Sequence, residues 1–283
     1  MARHSSEKIV MFLSRRIIQL SILLAVGYLT ACAVLYISQE SMLFPSDALN
    51  PMAESWRPNQ PYAYEEMKLQ TSKGLLYGIL WRAPHAKGTV LYSHGNAENI
   101  AELQRFIPQF IRQGYNILIW DYRGYGLSTG KLDGQAGFLN DAESVYQWLN
   151  SRKDTGEVVF YGYSLGSGVA LYLAHKHHGH KVLLEAAYDS LTAVAQDRFP
   201  IFPAKLILQY PMPAAQWVSD IHAPVRIVHG TGDTLILPDH AIALAKAAPN
   251  AALLLIKNGG HDGLSYSPQY AEWLSSALAL RTP

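Results

Sequence analysis

Hydrophobic positions along this chain form one long unbroken run near the N-terminus, then a series of brief apolar clusters separated by helix-length segments. The long run occupies residues 17–39, which carry no charged side chain, and Arg3, Lys8, Arg15 and Arg16 precede it. At about 1.5 Å of rise per residue, about 20 residues cross about 30 Å of hydrocarbon. The run therefore predicts one transmembrane helix after a basic tail at residues 1–16. The excess of arginine and lysine on one side places that tail in the cytoplasm and everything after residue 40 outside.

Two other readings of the same run stay open. Leu29, Thr30, Ala31 and Cys32 look like the box that precedes a lipidated cysteine, which would leave a lipoprotein anchored at Cys32. The continued apolar character of residues 33–37 argues against it. A cleaved secretory signal is the third reading, although the run exceeds the ~7–15 apolar residues of such signals. All three export the rest of the chain.

Beyond the run, residues 45–61 are rich in Pro, Asn, Ser and Met without periodicity, so residues 40–63 read as a linker. Two strand-like runs at 64–71 and 75–82 flank Ser72, Lys73 and Gly74, the spacing of an antiparallel hairpin. Six short runs rich in Val, Ile, Leu and Tyr follow, at 89–92, 116–120, 157–161, 181–184, 225–228 and 252–256. Runs this brief and this apolar suit strands buried on both faces. Helix-length segments at 100–113, 135–150, 164–175 and 239–248 alternate with them. That alternation predicts an α/β domain over residues 64–283, a mostly parallel eight-stranded sheet with helices on both faces. Residues 187–222 break the alternation by mixing Phe199, Phe202 and Tyr210 with Pro200, Pro203, Pro211 and Pro213, and they read as a short lid.

Composition narrows the possibilities. With 283 residues, 49% hydrophobic and 16% charged, the chain suits one globular domain with a full core. A formal charge of +1 leaves no basic field for nucleic acid, which is excluded as an expected partner. The single cysteine, Cys32, lies in the apolar run, so the globular part has no disulfide framework.

The chemistry is concentrated at the ends of the predicted strands. Gly162, Tyr163, Ser164, Leu165 and Gly166 spell G-x-S-x-G between a strand-like run and a helix-like one. That is the context of a nucleophile elbow, where a strained turn exposes the serine and flanking side chains would collide with the strand and helix. The alternative is an ordinary serine N-cap. A serine hydroxyl needs a base within hydrogen-bond reach and an acid that holds the base in one tautomer. Asp233 follows the 225–228 run at the carboxyl edge of the sheet and is the first candidate for the acid, with Asp189 and Glu185 as alternatives. His261 follows Gly259 and Gly260 after the last run, and of the 11 histidines it has the required place in the order serine, acid, histidine. The backbone amides of Leu165, next to the nucleophile, and of Asn96, after the 89–92 run, are the candidate oxyanion hole. His94 is expected to support that loop by hydrogen bonding. His175, His177, His178 and His180 gather where a helix should end, so they read as a solvated terminus and not as metal ligands. No metal or other cofactor is expected.

Five motifs in this order, H-G-N-A at His94, D-Y-R-G-Y-G at Asp121, G-Y-S-L-G at Gly162, H-G-T-G-D at His229 and G-G-H at Gly259, resemble the membrane-anchored α/β-hydrolase-domain family. Bacterial members of that family are often catalogued as serine-aminopeptidase-like. The likeness spans residues 64–280 and implies the α/β-hydrolase fold with Ser164, Asp233 and His261 as the catalytic set. It also implies a structural role for Asp121 and Arg123, the arginine holding active-site loops through their carbonyls. The expected activity is a serine esterase or thioesterase acting on a small or lipid-like ester. Phe199, Phe202, Leu206 and Tyr210 of the lid would contact the acyl chain. A serine aminopeptidase is the second reading, and a non-catalytic, membrane-tethered binding protein is the alternative from another class.

Overall fold

A computed structural model describes residues 2–45, 52 and 55–280. Residues 46–51, 53 and 54 of the predicted linker, the last three residues, and the side chains of Arg3 and Lys8 in the basic tail lie outside the described residues.

The first element, α1 (Ala2–Leu43), is one continuous helix of 42 residues. Its segment Met11–Leu43 is long and apolar enough to cross a membrane. The sheet contains β1 (Tyr64–Thr71), β2 (Gly74–Trp81), β3 (Gly88–Ser93), β4 (Tyr115–Trp120), β5 (Glu157–Tyr163), β6 (Lys181–Glu185), β7 (Val225–Gly230) and β8 (Ala251–Ile256). Their spatial order is β1-β2-β4-β3-β5-β6-β7-β8. β1 and β2 form the antiparallel hairpin, β2 also runs antiparallel to β4, and every later pairing is parallel.

The helices after α1 are α2 (Ile100–Leu103), α3 (Ile107–Ile111), α4 (Gln135–Asn150), α5 (Leu165–Lys176), α6 (Leu191–Arg198), α7 (Ala204–Ile207), α8 (Ala214–Val218), α9 (Pro238–Ala247) and α10 (Pro268–Ala279). The helix expected over 100–113 is broken into α2, a 3-10 turn and α3. Pro108 explains the break, since it has no N–H to continue the earlier ladder. Asn99 starts α2 with a capping box closed by Glu102. A further C-terminal helix, α10, is capped by Ser267 and opened by Pro268, beyond the helix-length segments the sequence predicts.

The period of two along each strand divides the core. Leu91, Leu118, Trp120, Phe160 and Leu184 point to the face covered by α4, α5, α8 and α9. Val90, Tyr92, Ile117, Ile119 and Tyr161 point to the other, covered by α2, α3 and α10. Each such side chain removed from water contributes about 1.5–3 kcal/mol, so both faces are strongly committed and the register cannot slip. The lid segment carries α6, α7 and α8 between β6 and β7.

Arg123 departs from the role the resemblance implied. Its guanidinium pairs with Asp141 of α4 at 2.5 Å and reaches Thr71 Oγ1, so it ties α4 to the sheet hairpin and not to the active-site loops. Asp121 does hold a loop: it accepts the Ile100 amide at 2.9 Å, fixing the start of α2.

Candidate active site

β5 ends at Tyr163 and α5 begins at Leu165, which leaves Ser164 alone to turn the chain, at φ 50° and ψ −118°. Such a backbone costs on the order of 1–3 kcal/mol and persists where its surroundings enforce it. Here the Ser164 amide donates to the Glu185 carbonyl at the end of β6, which ties the turn to the neighbouring strand. A Cβ on Gly162 would overlap the backbone of Gly166 and Ser167, and one on Gly166 would overlap the carbonyls of Ser93 and His94. Those contacts set the elbow directly against the end of β3.

The loops after β7 and β8 are laced together, because Thr231 N donates to Ile256 O, Gly232 N to Gly259 O and Asn258 N to Thr231 Oγ1. The lacing carries His261 over the elbow. Its Nε2 lies 2.9 Å from Ser164 Oγ, and its Nδ1 lies 2.7 Å from Asp233 Oδ2. With Nδ1 protonated toward the carboxylate, Nε2 is left to accept the serine hydroxyl.

Asp233 is 2% exposed. Its Oδ1 accepts the amides of Leu235 and Ile236, and His229 Nε2 stands 3.2 Å from its Oδ2. Burial alone would push its carboxyl up, but the hydrogen bonds from His229 and His261 outweigh burial and hold it well below the usual carboxylate range. The acid is therefore ionised throughout the neutral range. The alternatives are engaged elsewhere: Asp189 bonds His240 at 2.9 Å, and Glu185 bonds Tyr161 at 2.5 Å.

The Leu165 amide, in the first turn of α5, has no partner within its helix. The loop carrying Asn96 is fixed from below, since Tyr125 Oη donates to Asn96 O and Tyr122 Oη donates to His94 O. His94 is buried, stacks on Tyr122 and binds the Gly95 carbonyl, and burial lowers its imidazole to about 4, so it stays neutral. Among the lid residues, Phe199 and Phe202 face α1 across an apolar cleft, Leu206 points outward, and Tyr210 is wholly buried with its hydroxyl on Glu40. The four histidines near residue 178 do not converge: His177 bonds Glu143, His175 faces Asp220 and His180 meets Tyr146.

Three features escape sequence reading. His229 braces Asp233. Tyr163 donates to Asp262 at 2.6 Å beside the imidazole. Behind these, a cavity of about 210 Å3 is bordered by Glu98, Glu185, Asp262 and Tyr270. Burial pushes Glu185 up to about 7, against the opposing bonds from Tyr161 and Tyr270. A raised folded value means that the neutral carboxyl favours the fold at low pH. That contribution is whole below about 4.5, the ordinary value, and is lost as pH rises through about 7. Glu185→Gln is therefore expected to lose less stability than the parent between those pH values, by on the order of 3 kcal/mol, in urea unfolding of the full chain in detergent. Identical pH profiles for the two proteins would refute the assignment.

Known proteins resemble this chain in sequence and in fold. The family described as serine aminopeptidase, S33, matches residues 84–190. An uncharacterized protein of Mycobacterium tuberculosis is 28% identical, over 77% of this chain and 78% of that one. The α/β hydrolase domain-containing protein 17C of Xenopus tropicalis is 29% identical, over 78% of this chain and 72% of its own. Among solved structures, an esterase of Pyrococcus furiosus superposes with a TM-score of 0.67 at 18% identity, over 83% of this chain and 100% of that one. Sheet order, the turn after β5 and these relatives agree: the chain belongs to the α/β-hydrolase family.

Proposed function

We propose that this hydrolase cleaves carboxylic esters or thioesters through an acyl-enzyme on Ser164. The observation that carries the reading is the unbroken relay of two hydrogen bonds, 2.9 Å and 2.7 Å, from Ser164 through His261 to Asp233. As the Ser164 oxygen bonds to the substrate carbonyl carbon, its proton passes to His261 Nε2, and the ionised Asp233 stabilises the imidazolium. The tetrahedral oxyanion is held by the amides of Leu165 and Asn96. His261 then returns the proton to the departing alcohol or thiol. Water repeats the sequence in reverse and frees the acid and Ser164. No cofactor enters any step.

An apolar acyl group is favoured because the N-terminal helix keeps the enzyme at a membrane, although Phe199 and Phe202 face α1 and not Ser164. In this reading α1 crosses the bilayer with Arg15 and Arg16 on the cytoplasmic side and the hydrolase domain outside. Its continuity through Cys32, and the contact of Tyr28 with the lid, favour a retained helix over cleavage at the cysteine. Several solved neighbours of this fold are esterases, which supports ester over peptide cleavage. An aminopeptidase has to bind an ammonium group, yet Asp189 and Asp197 of the lid both pair with His240, and Asp220 pairs with His175.

A fluorophosphonate probe should label the folded protein at Ser164, and nitrophenyl esters should be hydrolysed with a preference for longer acyl chains. Hydrolysis of aminoacyl-nitroanilides above that of every ester would replace this reading with the peptidase one.

A further inference from the structure

The anchor helix is too long to be only a membrane span. Its 42 residues extend roughly 63 Å, about twice the hydrocarbon thickness. The lid meets it well before its C-terminal end. Tyr28 Oη donates to Ile201 O at 3.0 Å, and its ring stacks on Phe202 at 5.7 Å. Further up, Gln39 Nε2 donates to Ile207 O, and Gln209 donates to Gln39 Oε1 and to Tyr36 O. The lid thus follows α1 from the level of Gln39 down to that of Tyr28, a descent of roughly 16 Å.

Arg15 and Arg16 mark one edge of the apolar run, and the next charged residue is Glu40. From Ile17 to Tyr28 the helix rises only roughly 17 Å, little more than half of the ~30 Å hydrocarbon layer. Were the bilayer to stop where the lid begins, it would have to draw both arginines deep into hydrocarbon, farther than a side chain can snorkel. Keeping the arginines at the interface instead brings the lid tip into the leaflet.

The tip is mostly apolar, and its one charged side chain, the exposed Lys205, lies two residues from Ile207 at the Gln39 level, where a long stem can snorkel to the interface. Ile201 is 72% and Leu206 82% exposed, which would leave two large aliphatic side chains bare in water. Pro200 and Pro203 have no N–H to satisfy, Gln196 donates to Pro200 O and accepts from Ala204 N, and Tyr28 serves Ile201 O. Between α1 and the lid runs a cleft of about 100 Å3 lined by Leu35, Leu43, Phe199, Phe202 and Ile207, where a water molecule would find few polar partners.

We propose that the lid tip, residues 199–206, inserts beside α1 into the bilayer leaflet on the hydrolase side, with lipid acyl chains covering Ile201 and Leu206 and filling the cleft. This inference rests on reading α1 as a membrane span. Ester substrates would then reach the lid from the leaflet and not from bulk water.

The test uses the full chain with Cys32→Ala, single cysteines introduced by Ile201→Cys or Leu206→Cys, and Lys153→Cys as a control. Each carries an environment-sensitive fluorophore after reconstitution into phosphatidylcholine and phosphatidylglycerol vesicles. Nitroxide groups on the lipid acyl chains should quench the labels at 201 and 206 by more than half and leave the label at 153 unchanged. Flotation of the protein with the vesicles reports the anchor separately. Protein that floats while its lid labels remain water-exposed overturns lid insertion and leaves the anchor standing; protein that does not float overturns both. Lid labels that are shielded but unquenched, and become exposed on dilution, would mean that a second copy of the chain covers this face, which also overturns the proposal.

Discussion

Ser164→Ala is expected to lower kcat on a nitrophenyl ester by at least ~10^4-fold while the protein stays folded, since the mutation removes the nucleophile and leaves the packed elbow in place. His261→Ala should be similarly damaging. The more discriminating result is the double variant, which should be no slower than either single one, because a hydroxyl and an imidazole joined at 2.9 Å act as one unit. Each rate should be measured over a blank without enzyme, with folding checked by circular dichroism. Losses that multiply in the double variant would show that the two groups act independently, and the proposed relay would fall.

Asp233→Asn should reduce kcat by about 10^4-fold with little change in substrate affinity, as expected where a carboxylate holds a histidine in its productive tautomer. The structure gives a specific reason for a loss of that size. The Asp233 carboxylate accepts from His261 and from the amides of Leu235 and Ile236, while His229 Nε2, bonded to Ile236 O, stands 3.2 Å from Oδ2. An asparagine replaces one acceptor oxygen with a donor, so one of those N–H groups must face another N–H. If the amide nitrogen takes the side of His261, the imidazole is driven to the opposite tautomer and Nε2 can no longer accept the serine proton. A variant that keeps more than about a tenth of the parent rate would show that some other group orients His261.

The strands were legible because a buried parallel strand declares itself locally, as at Tyr115–Trp120, where every residue is apolar or packed. The elbow was legible for a related reason: Gly162 and Gly166 are demanded by backbone contacts within a few residues of Ser164. His229 was unreadable in its role because its contact with Asp233 depends on how the turn after β7 curls, which the motif letters do not contain. The Glu185, Tyr161 and Tyr270 cluster joins β5, β6 and α10, and contact between distant segments leaves no periodic trace. The docking of α1 on the lid leaves no trace for the same reason, since lipid alone accounts for the apolar character of residues 17–39. Arg123 was hidden in another way: its partner is Asp141, on a helix that the motif does not touch.

Phe44, just past the end of α1, packs against Phe138 and Tyr210, while the Tyr210 hydroxyl reaches Glu40 and receives the Gly134 amide at the start of α4. The last turns of α1 are thus a structural wall of the globular domain. A shortened, water-soluble version that begins after residue 45 would lose that wall, exposing the rings of Phe138 and Tyr210 and freeing the Gln209 amide from Gln39. Substrate rankings collected on such a fragment would describe a released flap, and they would differ from those of the whole protein most for the bulkiest acyl groups.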